Sequence, residues 1–115
     1  IVAGNRMERL TEDFKRELSA IFRKIKDPRL SSMISVVSVE ITKDLKYAKI
    51  YVSVMGSEEE RKDTMLALKS ATGFIKREIG ANLKIRAVPD LQFILDRSVD
   101  YGVHISELIN KIHKE

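Results

Sequence analysis

Apolar residues in the first quarter of the chain recur at steps of three and four. The residues that carry this pattern are Leu10, Phe14, Leu18, Ile21, Phe22 and Ile25. They would lie on one face of an α-helix, so the pattern predicts a helix buried along that face. Asn5, with Glu8 three residues later, has the spacing of a capping box and predicts the helix start. Asp27-Pro28 predicts its end, because a residue before proline is displaced from helical geometry.

Alternation of apolar and polar residues predicts two strands after this helix. The apolar positions of the two strands are Val37, Val39 and Ile41, then Ala48, Ile50, Val52 and Val54. Tyr47, Lys49, Tyr51 and Ser53 form the other face of the second strand. The polar segment 42–46 is short enough to turn the chain, so we expect an antiparallel hairpin.

A second capping box, from Ser57 to Glu60, begins a long helical pattern. We expect this helix to extend to about Ile79, with Gly80 near its C-terminal cap. The predicted buried stripe is Met65, Leu68, Ile75 and Ile79. Glycine in a helix interior costs about 1 kcal/mol relative to alanine, and Phe74 leaves the stripe if the helix is straight. We therefore predict a kink at Ala71-Thr72-Gly73 that joins two helical segments.

The remaining pattern completes a small α+β domain. Segment 83–89 is interpreted as a connection or a weak edge strand, and Leu91, Phe93 and Leu95 alternate as in a last strand. A final helix is expected at about 102–114, and residues 1–4 are expected to be flexible. The predicted fold is one domain over 1–115, ordered helix, strand, strand, kinked helix, strand, helix. Its helices pack on one face of a three-stranded sheet.

Composition limits the classes of function. The chain has 115 residues, of which 43% are hydrophobic and 33% charged, as in one soluble domain. No apolar stretch approaches the roughly 20 residues of a spanning helix. The chain has no cysteine, and the start Ile1–Gly4 is too short for a signal-peptide core, so a cytoplasmic location is expected. The net charge of +4 favours polyanion binding only weakly.

The motifs of common enzyme classes are absent. His104 and His113 are nine residues apart and lack metal-ligand spacing. The sequence contains no GxSxG, P-loop or dinucleotide fingerprint, and its aspartates fall mostly in predicted turns. We therefore expect no catalytic residue, no metal, no cofactor and no small-molecule substrate. The chain is expected not to be an enzyme.

The predicted element order resembles a type II KH domain, an RNA-binding module. The GxxG loop that usually clamps nucleic acid between two KH helices is absent. Ala71-Thr72-Gly73 stands in its place, and an AxG kink at this position is similar to the ribosome-binding factor A family. Four further segments agree with that family from about Arg6 to Ile112. They are Arg6 with Arg9, segment 27–30 (DPRL), segment 44–53 (DLKYAKIYVS), and segment 88–93 (VPDLQF) with Asp96 and Ser98.

This resemblance implies a function in ribosome biogenesis. Members of the family bind free small (30S) subunits late in assembly, contact their 16S rRNA and support processing of its 5′ end. Their role matters most in the cold. The resemblance thus implies a monomeric, cytoplasmic RNA-binding factor whose partner is the small subunit, with no membrane partner.

Basic residues with helical spacing are the candidates for RNA contact, since phosphate contacts come largely from Lys and Arg. Lys62, Lys69 and Lys76 lie seven residues apart, with Arg77 adjacent, and bracket the AxG segment. A solvated helix face is the alternative, and the resemblance favours RNA contact. Arg9, Arg16 and Arg23 are also seven apart, but Glu12 and Asp13 offer competing ion pairs. Secondary candidates are Arg6, Lys43, Lys46, Lys84 and Arg86.

Two other interpretations of function remain open. The hairpin edge or terminal helix would bind another assembly factor if the chain is a protein-interaction module. A general single-stranded nucleic-acid binder would not distinguish between unrelated sequences. Tyr47 and Tyr51 share one strand face and suit base stacking, although such tyrosines more often pack on a helix.

Overall fold

The computed structural model describes residues 2–30 and 33–97. Its elements are α1 (Val2–Lys24), β1 (Ile34–Ile41), β2 (Tyr47–Val54), α2 (Glu58–Ser70), α3 (Thr72–Leu83) and β3 (Asp90–Leu95). This order confirms the predicted α+β fold up to β3. The predicted terminal helix and both histidines lie outside the described residues. No helix in the described ranges is both long and apolar enough to span a membrane.

The three strands form one mixed sheet in the order β1-β2-β3. β1 pairs antiparallel with β2, as predicted for a hairpin, and β3 pairs parallel with β2. A parallel pair needs a crossover, which α2 and α3 supply. Alternate residues of β2, from Ala48 to Val54, are buried under the helices. α1 packs on β1 and α3, whereas α2 packs beside β3.

The core lies between the helices and this face of the sheet. Large, fully buried side chains come from α1, β2, α2 and α3, and they are Phe14, Leu18, Ile21, Ile50, Leu68, Ile75 and Ile79. All seven belong to the apolar positions predicted from periodicity. Phe74, which a straight helix would displace from the stripe, packs at the margin of this core.

The register of β1 differs from the prediction at one residue. The alternation predicted Val37 on the buried face, but Val37 is 39% exposed and Val36 is buried. The pairing with β2 shifts between Val36 and Ser38, which is a β-bulge. A bulge inserts one extra residue and so reverses the alternation on one side of it. Val39 keeps the predicted burial.

Two predicted helix boundaries are wrong. α1 begins at Val2, so Asn5 lies within the helix instead of capping it. α3 continues past Gly80 to Leu83 and ends at Lys84 in the left-handed conformation (φ 53°). Gly80 serves packing instead, because an added Cβ would lie 3.2 Å from Cγ2 of Val88. The glycine permits α3 to approach the connection that leads to β3.

The start of α2 is tied to the end of β3. Ser57 and Glu60 form the predicted capping box. Arg97 donates two hydrogen bonds to Glu58, at 2.6 and 2.8 Å, and this guanidinium lowers the pKa of Glu58 to about 2. The carboxylate is therefore ionised at neutral pH. These contacts place the first turn of α2 next to the last residues of β3, so the two elements run in opposite directions.

Candidate nucleic-acid interface

The long predicted helix is interrupted at Ala71, between α2 and α3. Ala71 adopts φ −89° and ψ 3°, in the bridge region between helix and strand. Its N–H still donates to Ala67 O (3.0 Å), and its carbonyl accepts from Ile75 N–H (2.9 Å). The interruption is therefore local.

Thr72 is the first residue of α3, directly after this interruption. Its hydroxyl donates to Leu68 O, four residues earlier, at 3.1 Å. The same back-bonding links the Thr64 hydroxyl to Glu60 O within the uninterrupted α2, so it does not by itself account for the interruption. Gly73 is exposed within the first turn of α3, and an added Cβ would meet only Nη1 of Arg77, at 3.7 Å. Gly73 thus leaves open backbone beside an exposed guanidinium.

A groove runs between α2 and β3. We call it the lysine groove, and its lining residues are Lys62, Met65, Leu66, Lys69, Thr72, Leu91, Gln92 and Phe93. Lys62 and Lys69 are exposed on its α2 side, and neither forms an ion pair with a described residue. Their charges are available to an anion lying along the groove.

The opposite wall of the lysine groove is the outer edge of the sheet. β3 has β2 on one side and no further described strand on the other. The N–H groups of Asp90 and Asp96 donate to Lys46 O and Val52 O of the β2 side, each at 2.8 Å. Backbone groups alternate in direction along a strand, so those of Leu91 and Phe93 point away from β2. They offer donors and acceptors opposite the two lysines.

Lys76 follows Lys62 and Lys69 at the same seven-residue spacing, but it forms an ion pair. Its Nζ lies 2.9 Å from the carboxylate of Asp90 at the start of β3. The Asp90 N–H bonded to Lys46 O brings the β1–β2 turn to this same end of the sheet. The turn carries Lys43 and Lys46, and the connection into β3 carries Lys84 and Arg86. All four side chains are exposed.

The structure does not join the arginines of α1 to the lysine groove. Arg6, Arg9 and Arg16 are exposed, but α1 packs over β1 and α3, while the groove lies beside β3. Arg16 pairs with Asp13, as the alternative interpretation anticipated. The predicted basic residues therefore fall into separate surfaces.

The predicted tyrosines differ in their surroundings. Tyr47 is 57% exposed. Tyr51 is half-buried, and its hydroxyl donates to a carboxylate oxygen of Glu40 at 3.3 Å. Desolvation, reinforced by the charge of Glu40, raises the pKa of the Tyr51 hydroxyl. Of the two, Tyr47 offers the more accessible ring.

The DPRL segment has a structural role. The Asp27 carboxylate accepts hydrogen bonds from the guanidinium of Arg29 and, to a lesser effect, from its backbone N–H, and both lower the pKa of Asp27. Arg29 also reaches Ser70 Oγ at 3.4 Å, and Arg29 O accepts from the Thr64 hydroxyl at 3.3 Å. The motif therefore holds the connection after α1 against α2, the helix that forms one side of the lysine groove.

These features define a KH-like type II domain in which an AxG segment replaces the GxxG loop. Residues 6–109 match the family model of ribosome-binding factor A. The chain is 49% identical over 111 residues to ribosome-binding factor A of Caldanaerobacter subterraneus, covering 96% of this chain and 91% of the relative. The chain belongs to the ribosome-binding factor A family, which confirms the predicted resemblance.

Solved structures agree with the fold. A Thermotoga maritima protein, determined by solution NMR, superposes with a TM-score of 0.71 at 34% identity. That match covers 77% of this chain and 85% of the other. A homology model of Thermus thermophilus ribosome-binding factor A, fitted into a cryo-EM map of a 30S complex with that factor, matches with a TM-score of 0.64 at 26% identity. It covers 76% of this chain and 91% of its own.

Proposed function

We propose that this protein binds free small ribosomal subunits in the cytoplasm and assists their late maturation, including processing of the 5′ end of 16S rRNA. It acts as a monomer, by binding and without catalysis, and its action matters most in the cold. The observation that carries the proposal is the lysine groove, in which two lysines without an ion pair to a described residue face a strand edge that has no further described strand beside it. The family and the fit of the Thermus thermophilus relative into a 30S complex support the same partner.

In this proposal the groove holds a single-stranded segment of rRNA. Lys62, Lys69 and Arg77 contact phosphates, and the AxG backbone permits close approach of the strand. The backbone of β3 offers hydrogen bonds to base edges, which is how unpaired RNA bases are commonly recognised. Binding energy that favours one rRNA conformation shifts the population toward it, so no reacting group is required.

Co-sedimentation with purified small subunits, large subunits and intact ribosomes at two salt concentrations tests this proposal. We expect binding to small subunits alone, weakened by salt because phosphate contacts release counterions. Affinity that does not change with salt would exclude the phosphate contacts. Binding to none of the particles, by protein shown to be folded, would reject the proposal and favour a protein partner. Equal affinity for unrelated RNA would favour a general single-strand binder.

Asp90 is expected to limit the contribution of Lys76 to RNA binding. The pair is partly exposed, with 34% of the Lys76 side chain accessible, and such pairs are worth about 0–1 kcal/mol. Asp90→Asn should therefore increase affinity for small subunits by about twofold to fivefold. Glu12→Gln, at an exposed residue of α1 away from the lysine groove, makes the same charge change and should have a smaller effect. If Asp90→Asn still increases affinity in a Lys76→Gln background, release of Lys76 is not the cause.

A further inference from the structure

The turn between β1 and β2 presents a leucine in a backbone conformation that leucine rarely adopts. Leu45 has φ 61°, in the left-handed region that is sterically unfavourable for residues other than glycine. Its side chain is 42% exposed and lies outside the set of residues packed against the core. Asparagine or glycine would adopt this conformation at lower cost.

The turn is held together without the leucine side chain. The Thr42 hydroxyl donates to the Asp44 carboxylate at 2.7 Å and accepts from Tyr47 N–H at 3.1 Å. The same carboxylate oxygen accepts from Lys46 N–H at 3.1 Å. These hydrogen bonds, the Thr42 hydroxyl first, lower the pKa of Asp44. Thr42 and Asp44 therefore order the turn, and the exposed leucine has no evident role in folding.

The side chains around Leu45 combine positive charge with apolar surface. We call Lys43, Leu45, Lys46 and Tyr47 the hairpin tip. All four are exposed, and within the described part of the chain neither lysine forms an ion pair. Two exposed cations beside an accessible apolar side chain and an aromatic ring suit RNA, whose phosphates and base faces are adjacent.

We propose that Leu45 is an RNA-contact residue, packing against an unstacked base or ribose of small-subunit rRNA while Lys43 and Lys46 contact the flanking phosphates. This inference rests on the proposed function and adds a second contact region to the lysine groove. The turn is ordered by its own hydrogen bonds, so presenting the leucine on binding costs little further conformational entropy. The backbone cost of Leu45 is offset by a contact made in the complex.

Leu45→Asn should change stability and binding in opposite directions. Relief of the left-handed conformation is expected to raise Tm by about 4 °C. Loss of the apolar contact is expected to lower affinity for small subunits by on the order of tenfold. Val37→Thr is the control, because Val37 is another exposed aliphatic residue (39%) in the middle of β1. It should leave affinity unchanged.

A photo-crosslinking residue in place of Leu45 identifies what the tip contacts. We expect crosslinks to 16S rRNA, and crosslinks confined to a ribosomal protein would overturn the inference. Wild-type affinity for Leu45→Asn would overturn it as well. Wild-type protein is titrated in parallel, so a failure of wild-type protein to bind small subunits contradicts both proposals. Wild-type binding with an unaffected Leu45→Asn variant contradicts only the role of Leu45.

Discussion

Reversing both lysines of the groove, Lys62→Glu with Lys69→Glu, is expected to weaken binding to small subunits by on the order of a hundredfold or more. Hydrogen bonds that involve a charged group contribute about 1.5–3 kcal/mol each, and the introduced carboxylates also repel phosphate. Loss of two phosphate contacts should reduce the slope of log affinity against log salt by about 1.4 for a single strand. Filter binding or sedimentation across a salt series measures both quantities.

Lys15→Glu with Lys26→Glu is the matched control. It changes the net charge by the same amount, at residues that lie before β1 and outside the lysine groove. We expect a small loss of affinity, from the general field of the protein alone. Equal losses for the two double variants would show that net charge, and not the lysine groove, governs binding. Unchanged circular dichroism and Tm for both variants would show that folding is intact.

Leu68→Ala should be the most destabilising of the single substitutions considered. Leu68 is fully buried on α2, and truncating a buried leucine to alanine costs about 2–5 kcal/mol. For a domain of this size the loss corresponds to a decrease in Tm of roughly 10 °C or more. Urea denaturation monitored by circular dichroism gives the free energy of unfolding.

Leu66→Ala makes the same chemical change two residues away in the same helix. Leu66 is 44% exposed and lines the lysine groove, so the change in free energy of unfolding should stay within about 0.5 kcal/mol. Comparable destabilisation by both substitutions would mean that α2 is rotated relative to the orientation described above. The pair therefore also tests which face of α2, and with it Lys62 and Lys69, borders the groove.

Local periodicity was sufficient to predict the elements of this fold from α1 to β3. The helical steps from Leu10 to Ile25 and the alternation in β2 and β3 record which side of each element meets the core, and that information is local. The capping box at Ser57 is likewise a contact between near neighbours. The family followed from short segments in the right order, which the comparison with known proteins confirmed.

Features that depend on distant residues were not predictable in the same way. Gly80 was predicted near a helix end because glycine is common there. Its packing role depends on Val88, which lies in a connection that only the folded chain brings near. The bulge in β1 moves Val37 out of the core through its pairing with β2. The parallel pairing of β3 depends on the path of the crossover and leaves no mark in the alternation of Leu91 and Phe93.

The amino-acid sequence by itself determined the helices and strands from α1 to β3 and the family, and it supplied the basic residues that are candidates for RNA contact. Only the tertiary structure decided which of those residues are available. Lys69 and Lys76 are equivalent in spacing, yet Lys76 is paired with Asp90, fourteen residues later, and Lys69 is exposed beside the open edge of β3. The physical reason is that a lysine can bind phosphate only if the fold places no carboxylate within a few ångströms of it. Helical spacing specifies the face of the helix on which the lysine lies, and not the charges that other elements bring near.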